Sequence, residues 1–166
     1  MMKRSAFIVL TAAIFAMLNY SIYEKEQVKA HGETVLLELA PVDPRSLMQG
    51  DYMRLRYAIE RSISREMALQ QKPRGYLVIA PDENHVAQFV RFHNGEPLQP
   101  GEKLLHYLSN GGTIRITPDS FFFQEGHAKY YQEAKYGEFK FDNNGSHILT
   151  GLASKDRVSL PGKVDQ

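Results

Sequence analysis

The sequence predicts an α+β, mostly β fold: a single N-terminal transmembrane helix, then a strand-rich antiparallel domain, curled or barrel-like, with one or two short helices. Three observations predict it. An uncharged stretch of 19 residues runs from Ser5 to Tyr23 behind Lys3 and Arg4. Beyond His31, apolar residues recur in short β-branched or alternating runs punctuated by Gly, Pro, Asn and Asp. The composition, 43% apolar and 23% charged, is that of a folded chain and excludes pervasive disorder. The organisation that follows is a cytoplasmic stub, anchor helix and helix extension over 1–31, a β-rich domain over 32–160 and a tail over 161–166, with no internal repeat.

The first element is a helix over Ser5 to Ala30. Its uncharged 19 residues make roughly 28 Å of helix, close to the hydrocarbon thickness of a bilayer. Tyr20 and Tyr23 suit the interfacial belt at its far end. The strictly apolar core, Ala6 to Leu18, also has the length of a signal-peptide core. Against cleavage, bulky residues follow that core, and the best small-x-small site, Val28-Lys29-Ala30, lies some twelve residues beyond Leu18. Glu24 to Ala30 are good helix formers and Gly32 offers a stop. The segment therefore reads as a retained anchor in contact with the bilayer through residues 5–23. Lys3 and Arg4 hold the N-terminus in the cytoplasm. The bulk is then periplasmic, in the inner membrane of a bacterium.

The later elements follow in order. Glu33 to Ala40 is a strand ended by Pro41, and Pro41-Val42-Asp43-Pro44 breaks the chain ahead of a tight turn over Arg45 to Gln49. Tyr52 to Ile59 alternates, with Met53, Leu55, Tyr57 and Ile59 on the core face and Tyr52, Arg54, Arg56 and Ala58 on the other. Ser62 to Gln71 is a short helix or loop. Gly75 to Ala80 and His85 to Phe92 form a hairpin around Pro81-Asp82-Glu83-Asn84. Leu104 to Leu108 and Thr113 to Thr117 form another around Ser109-Asn110-Gly111-Gly112. Phe121-Phe122-Phe123 reads as a buried strand or its end. Ala128 to Tyr136 reads as a short helix. Phe139, Phe141 and Ile148 to Leu152 flank the last turn, Asn143-Asn144-Gly145.

Composition narrows the chemistry. Zero cysteines exclude a disulfide, a thiolate nucleophile and Cys-ligated zinc. Basic residues number 20 and acidic ones 19, without the strongly basic balance that marks a nucleic-acid partner. With Lys3 and Arg4 set aside, the exported part is nearly neutral. Gly111-Gly112 lacks the Lys and Ser or Thr of a phosphate loop. The six histidines, at 31, 85, 93, 106, 127 and 147, show no zinc-ligand spacing. No metal or cofactor is expected. His93 and His106 have the spacing to face each other across a hairpin. Asp43 and Asp51 flank a turn near Arg45, Arg54 and Arg56, but as turn residues accepting backbone N–H groups rather than as a catalytic pair.

The most specific segment is Gly50-Asp51-Tyr52-Met53-Arg54-Leu55-Arg56-Tyr57. It carries all five fixed positions of the pattern G-D-Y-x-x-L-x-Y. Its approach, Pro41 to Leu47 with Asp43 and Arg45, and a second block, Phe123 to Ala128 with Glu125 and Gly126, then Tyr136, Gly137, Glu138 and Phe139, complete the match. On these residues the chain resembles the GDYXXLXY family of membrane-anchored bacterial proteins, over roughly residues 33–155. The resemblance implies a membrane-tethered domain, no assigned activity, and members encoded beside polytopic membrane proteins.

The residues themselves suggest a structural motif. Gly50 suits a backbone that a Cβ would strain, Asp51 suits a tie to the preceding turn, and Leu55 and Tyr57 should enter the core. Tyr52 should point the other way, over the Pro41 to Gln49 loop. A Gly-Asp opening a strand, with Leu47 three residues before it, is also similar to membrane-anchored signal peptidases. Their nucleophile, eight residues before the glycine, is replaced here by Val42. Ser46 is only four residues before Gly50, and the nearest lysine that follows is Lys72. The leading reading is a non-enzymatic accessory protein that associates with a polytopic membrane protein. A tethered binder of a small ligand or envelope component, and a peptidase-like hydrolase using Ser46 or Asp43 with Asp51, stay open beside it.

Overall fold

The computed structural model describes residues 2–41, 48–49, 52–142 and 145–160. The first helix, α1, runs unbroken over Met2–His31. Phe7, Ile8, Val9 and Leu10 are each 60–70% exposed. Consecutive helical residues point about 100° apart, so these four side chains expose apolar surface all round the axis. Near its end the helix docks on the domain, where Val28 is buried. Gly32 closes it, donating its N–H to the Val28 carbonyl at 2.8 Å. A Cβ on Gly32 would lie 2.4 Å from the Val28 oxygen and 2.9 Å from that of Phe141, so glycine alone fits.

Strand β1, Glu33–Glu38, starts at the next residue. It is the edge of a sheet continued by β9 (Tyr136–Phe141), β10 (His147–Ala153) and β11 (Ser159–Leu160). A second sheet orders β2 (Met48–Gln49), β3 (Tyr52–Arg54) and β8 (Ser120–Phe122). A third orders β5 (Ala87–Phe92), β4 (Arg74–Pro81), β6 (Lys103–Asn110) and β7 (Thr113–Ile116). Every pairing within these sheets is antiparallel. A bridge between Leu36 and Val86 joins the first sheet to the third, and one between Leu39 and Tyr57 joins it to the motif segment. The Lys103 ammonium adds a 2.7 Å ion pair to Glu33. The curled sheets share one core in which Val35, Leu37, Leu77, Ile79, Leu105, Ile116, Phe139 and Phe141 are buried. The fold is thus the mostly β, antiparallel α+β domain behind an apolar helix that the sequence predicts.

Several expectations need correction or refinement. The strand expected over Tyr52 to Ile59 ends at Arg54. Tyr57 still has extended backbone, and α2, Ala58–Ser62, begins behind it with Glu60 in its first turn. Of the short helix or loop expected over Ser62 to Gln71, the helix is present as α3, Arg65–Leu69, started by Ser64, whose Oγ accepts the Met67 N–H at 3.3 Å. The helix expected over Ala128 to Tyr136 is one 3₁₀ turn, Ala128–Tyr131, since Tyr136 is claimed by pairing with Glu38 and Ala153. The Phe121 to Phe123 run is not uniformly buried: alternation along β8 leaves Phe122 75% exposed while Phe121 and Phe123 pack on the core. Met48–Gln49, expected in a turn, pair with Tyr52–Met53. Asp43, Arg45, Ser46, Gly50 and Asp51, the Asn143-Asn144 turn and the 161–166 tail lie outside the described residues.

Candidate functional site

The described part of the motif starts in β3, between β2 and β8, with Tyr52 opposite Phe122 and Met53 opposite Phe121. Alternation then puts Met53, Leu55 and Tyr57 inside, all at most 3% exposed, and leaves Arg54 outside. Beyond β3 the backbone keeps bonding. Leu55 donates its N–H to the Asp119 carbonyl at 2.8 Å, and the Arg56 carbonyl accepts the Ala40 N–H at 2.8 Å. Tyr57 ends the segment with its hydroxyl donated to the Pro118 carbonyl at 2.7 Å. Its ring meets Phe139 edge-on at 5.8 Å.

The second block meets the first here. Gly137 lies against the Tyr57 ring, where a Cβ would stand 3.3 Å from Cε1. Glu138 accepts the Ser159 hydroxyl at 2.6 Å, and its carboxylate crowds Gly151. Tyr136 packs on the small cluster of Leu36, Val86 and Ala153. Glu125 is exposed in a turn, and Gly126 takes the left-handed backbone, φ +79°, that favours glycine. Of the twelve residues singled out from the sequence, Tyr57 and Gly137 meet and Leu55 shares the core with Tyr57; Tyr52, Tyr136, Glu138, Glu125 and Gly126 serve separate places.

Sequence reasoning missed Glu60. Its side chain, 8% exposed, accepts the Ile116 N–H at 2.9 Å and pairs with Arg56 at 3.6 Å. Burial raises its carboxyl above the ordinary range, against the Ile116 hydrogen bond and the Arg56 and Arg115 charges. Burial, with the Glu60 and Asp119 charges, likewise holds the Tyr57 hydroxyl protonated. The polar groups around the motif are thus bonded inward, as fastenings. The signal for Glu60 was its spacing, four residues after Arg56 on a helix start.

Beside the motif lies a small pocket of about 130 Å³ between Leu39–Pro41, Met53–Arg56 and Gln132–Lys135. The charges among its described lining residues, Arg54, Arg56 and Lys135, are all positive. It is well below the roughly 300–1,000 Å³ of a drug-sized site, and its rim favours a small anion or carboxylate. Phe122 stands outside it, its ring 5.7 Å from that of Tyr52, so the solvent face of this sheet presents an aromatic pair near Arg54.

The other candidates do not assemble. His93 and His106 are kept apart by β4, which lies between their strands. His106 Nδ1 is 3.1 Å from Thr117 Oγ1, and the His93 N–H bonds the Tyr76 carbonyl. Among the described residues no three His, Asp or Glu side chains converge as a metal site would require. Lys72 is exposed, without the desolvation that activates a lysine base. The family model described as GDYXXLXY protein matches residues 14–152. No curated protein and no solved structure matches the chain.

Proposed function

The chain belongs to the GDYXXLXY family, and we propose that it is a membrane-anchored, periplasm-facing accessory protein that performs no reaction of its own and binds a polytopic membrane protein. The observation that carries this reading is α1. From Phe7 to His31 it is long and apolar enough to cross a bilayer, and its apolar side chains are exposed all round. Retention of the helix is supported by its far end, because cleavage after Ala30 would cut a helix already docked through Val28 and Gly32. Orientation rests on Lys3 and Arg4. For the partner, the support is the exposed Phe122 beside Tyr52 and Arg54, since aromatic residues and arginine are enriched where proteins meet.

A reporter fused at Gln166 should be active only in the periplasm, and the chain should resist alkaline extraction from membranes. Mild-detergent purification of the full chain should bring down a polytopic protein that Phe122→Ser releases. Cytoplasmic reporter activity, or a mature N-terminus near His31, would overturn the topology. Ser46→Ala should leave any cellular phenotype intact; its loss at unchanged abundance would favour a hydrolase.

A second reading, a tethered binder of a small anionic ligand, is favoured by the positive rim of the motif pocket. It requires phosphate or acetate to raise the melting temperature of the wild type and not of Arg54→Glu.

A further inference from the structure

We propose that the hollow between the base of α1 and the adjoining ends of β9 and β10 seats the head group of a zwitterionic aminophospholipid. The inference rests on α1 being a retained membrane anchor. The hollow holds about 550 Å³, within the range of sites that enclose small molecules. Tyr20 and Tyr23 border one end, Val28 and Phe141 contribute its apolar lining, and Glu24 and Lys25 line its side.

Depth selects the occupant. The uncharged stretch ends at Tyr23, so the hydrocarbon boundary falls near that residue. The polar layer of one leaflet is about 5–7 Å thick, which is about four residues of helix. Glu24 to Gln27 therefore occupy the layer where phosphates and head-group amines lie. Tyr20 and Tyr23, which border the hollow, are of the residue type enriched at this interfacial layer. A phospholipid is the molecule present at that depth in every orientation the helix adopts.

Charge selects the head group. Among the described residues Glu24 and Lys25 make no ion pair, whereas Glu33 is engaged by Lys103 at 2.7 Å and Asp142 accepts the Ser146 N–H at 2.7 Å. The available pair is one acid and one base on successive positions of α1, both bordering the hollow, and together they complement an ammonium and a phosphate in a single head group. A purely anionic head group would place its charge beside three acids, Glu24, Glu33 and Asp142, against Lys25 and His31 as the basic residues of the lining.

The test uses the full chain, delipidated in detergent and titrated with phosphatidylethanolamine, phosphatidylglycerol or phosphatidylcholine in mixed micelles, with bound lipid read by native mass spectrometry. Phosphatidylethanolamine should be retained most, and Glu24→Gln with Lys25→Gln should lower its occupancy roughly tenfold, as expected for losing charge-assisted hydrogen bonds. Both positions are exposed, and melting of the double variant should match the wild type. Equal binding of the three lipids, preference for phosphatidylglycerol, or full binding by the double variant would overturn the proposal. Alkaline extraction separates the two readings: a chain that washes off membranes refutes the anchor, whereas one that stays but shows no lipid preference refutes the head-group seat alone.

Discussion

Gly137 faces the ring of Tyr57. A Cβ at 137 would stand 3.3 Å from Tyr57 Cε1, and equally close to Leu149 Cδ1 and Phe139 Cε2. One signature block thus ends in a tyrosine whose ring needs room, and the other supplies a residue without a side chain where that ring lies. Tyr57 and Gly137, 80 residues apart in sequence, make the two blocks halves of one packing contact.

Gly137→Val should therefore destabilise the full chain by about 1–3 kcal/mol, because the buried Tyr57 and Phe139 and the partly buried Leu149 must give way. Tyr57→Phe should cost about 1 kcal/mol through the lost hydrogen bond to the Pro118 carbonyl. Denaturant melts in detergent measure both. A wild-type midpoint for Gly137→Val would mean the contact is loose.

Leu55→Ala removes a side chain only 1% exposed. The expected loss is about 2–5 kcal/mol, from transfer energy and the cavity left behind. Arg54→Ala, at an exposed position, should stay within about 0.5 kcal/mol. From sequence Arg56 would serve as that neutral comparator, but its pairing with the nearly buried Glu60 disqualifies it. Equal melting of the Leu55 and Arg54 variants would place Leu55 outside the core.

His147 stacks on Phe141 at 5.2 Å, and burial holds its imidazole below the ordinary value of 6.5, against hydrogen bonds to the Gly145 and Thr117 backbone, with His106 and Lys25 pushing it further down. Between its lowered folded value and 6.5 the unfolded chain binds the extra proton. Stability should therefore fall as pH drops through 6.5. His147→Phe should lose less stability between pH 7 and 5 than the wild type. Parallel curves would contradict the assignment.

Glu60 carries the opposite sign. Its raised carboxyl binds a proton in the folded state at pH values where the unfolded chain has released it. Stability contributed by that proton disappears as pH rises above the ordinary carboxylate range. Glu60→Gln keeps an acceptor for the Ile116 N–H and should show a smaller decline over that interval in pH-dependent melts.

Much of this was legible before any coordinates. The hairpins around Asp82 and Gly111 are local turn chemistry, and the inward Met53, Leu55 and Tyr57 follow from period two. Ile59 also packs on the core, but from α2 and not from a strand, and the Tyr57 bond to the Pro118 carbonyl is a contact across 61 residues that no local pattern reports. Phe122 misled for the converse reason: three phenylalanines in a row resemble core, yet a strand must turn one of them away from its neighbours. The motif pocket draws Lys135 and Gln132 from far along the chain, so its positive rim is a product of the fold.

The passage from α1 to β1 through Gly32 alone leaves the domain without a swivel. Adding or deleting one residue between Glu24 and His31 would swing the domain about 100° around the axis of α1 and shift it about 1.5 Å along that axis. The protein therefore has a compass heading as well as an altitude. On the proposed anchoring, the flank turned toward a neighbour would be set by the phase of that helix.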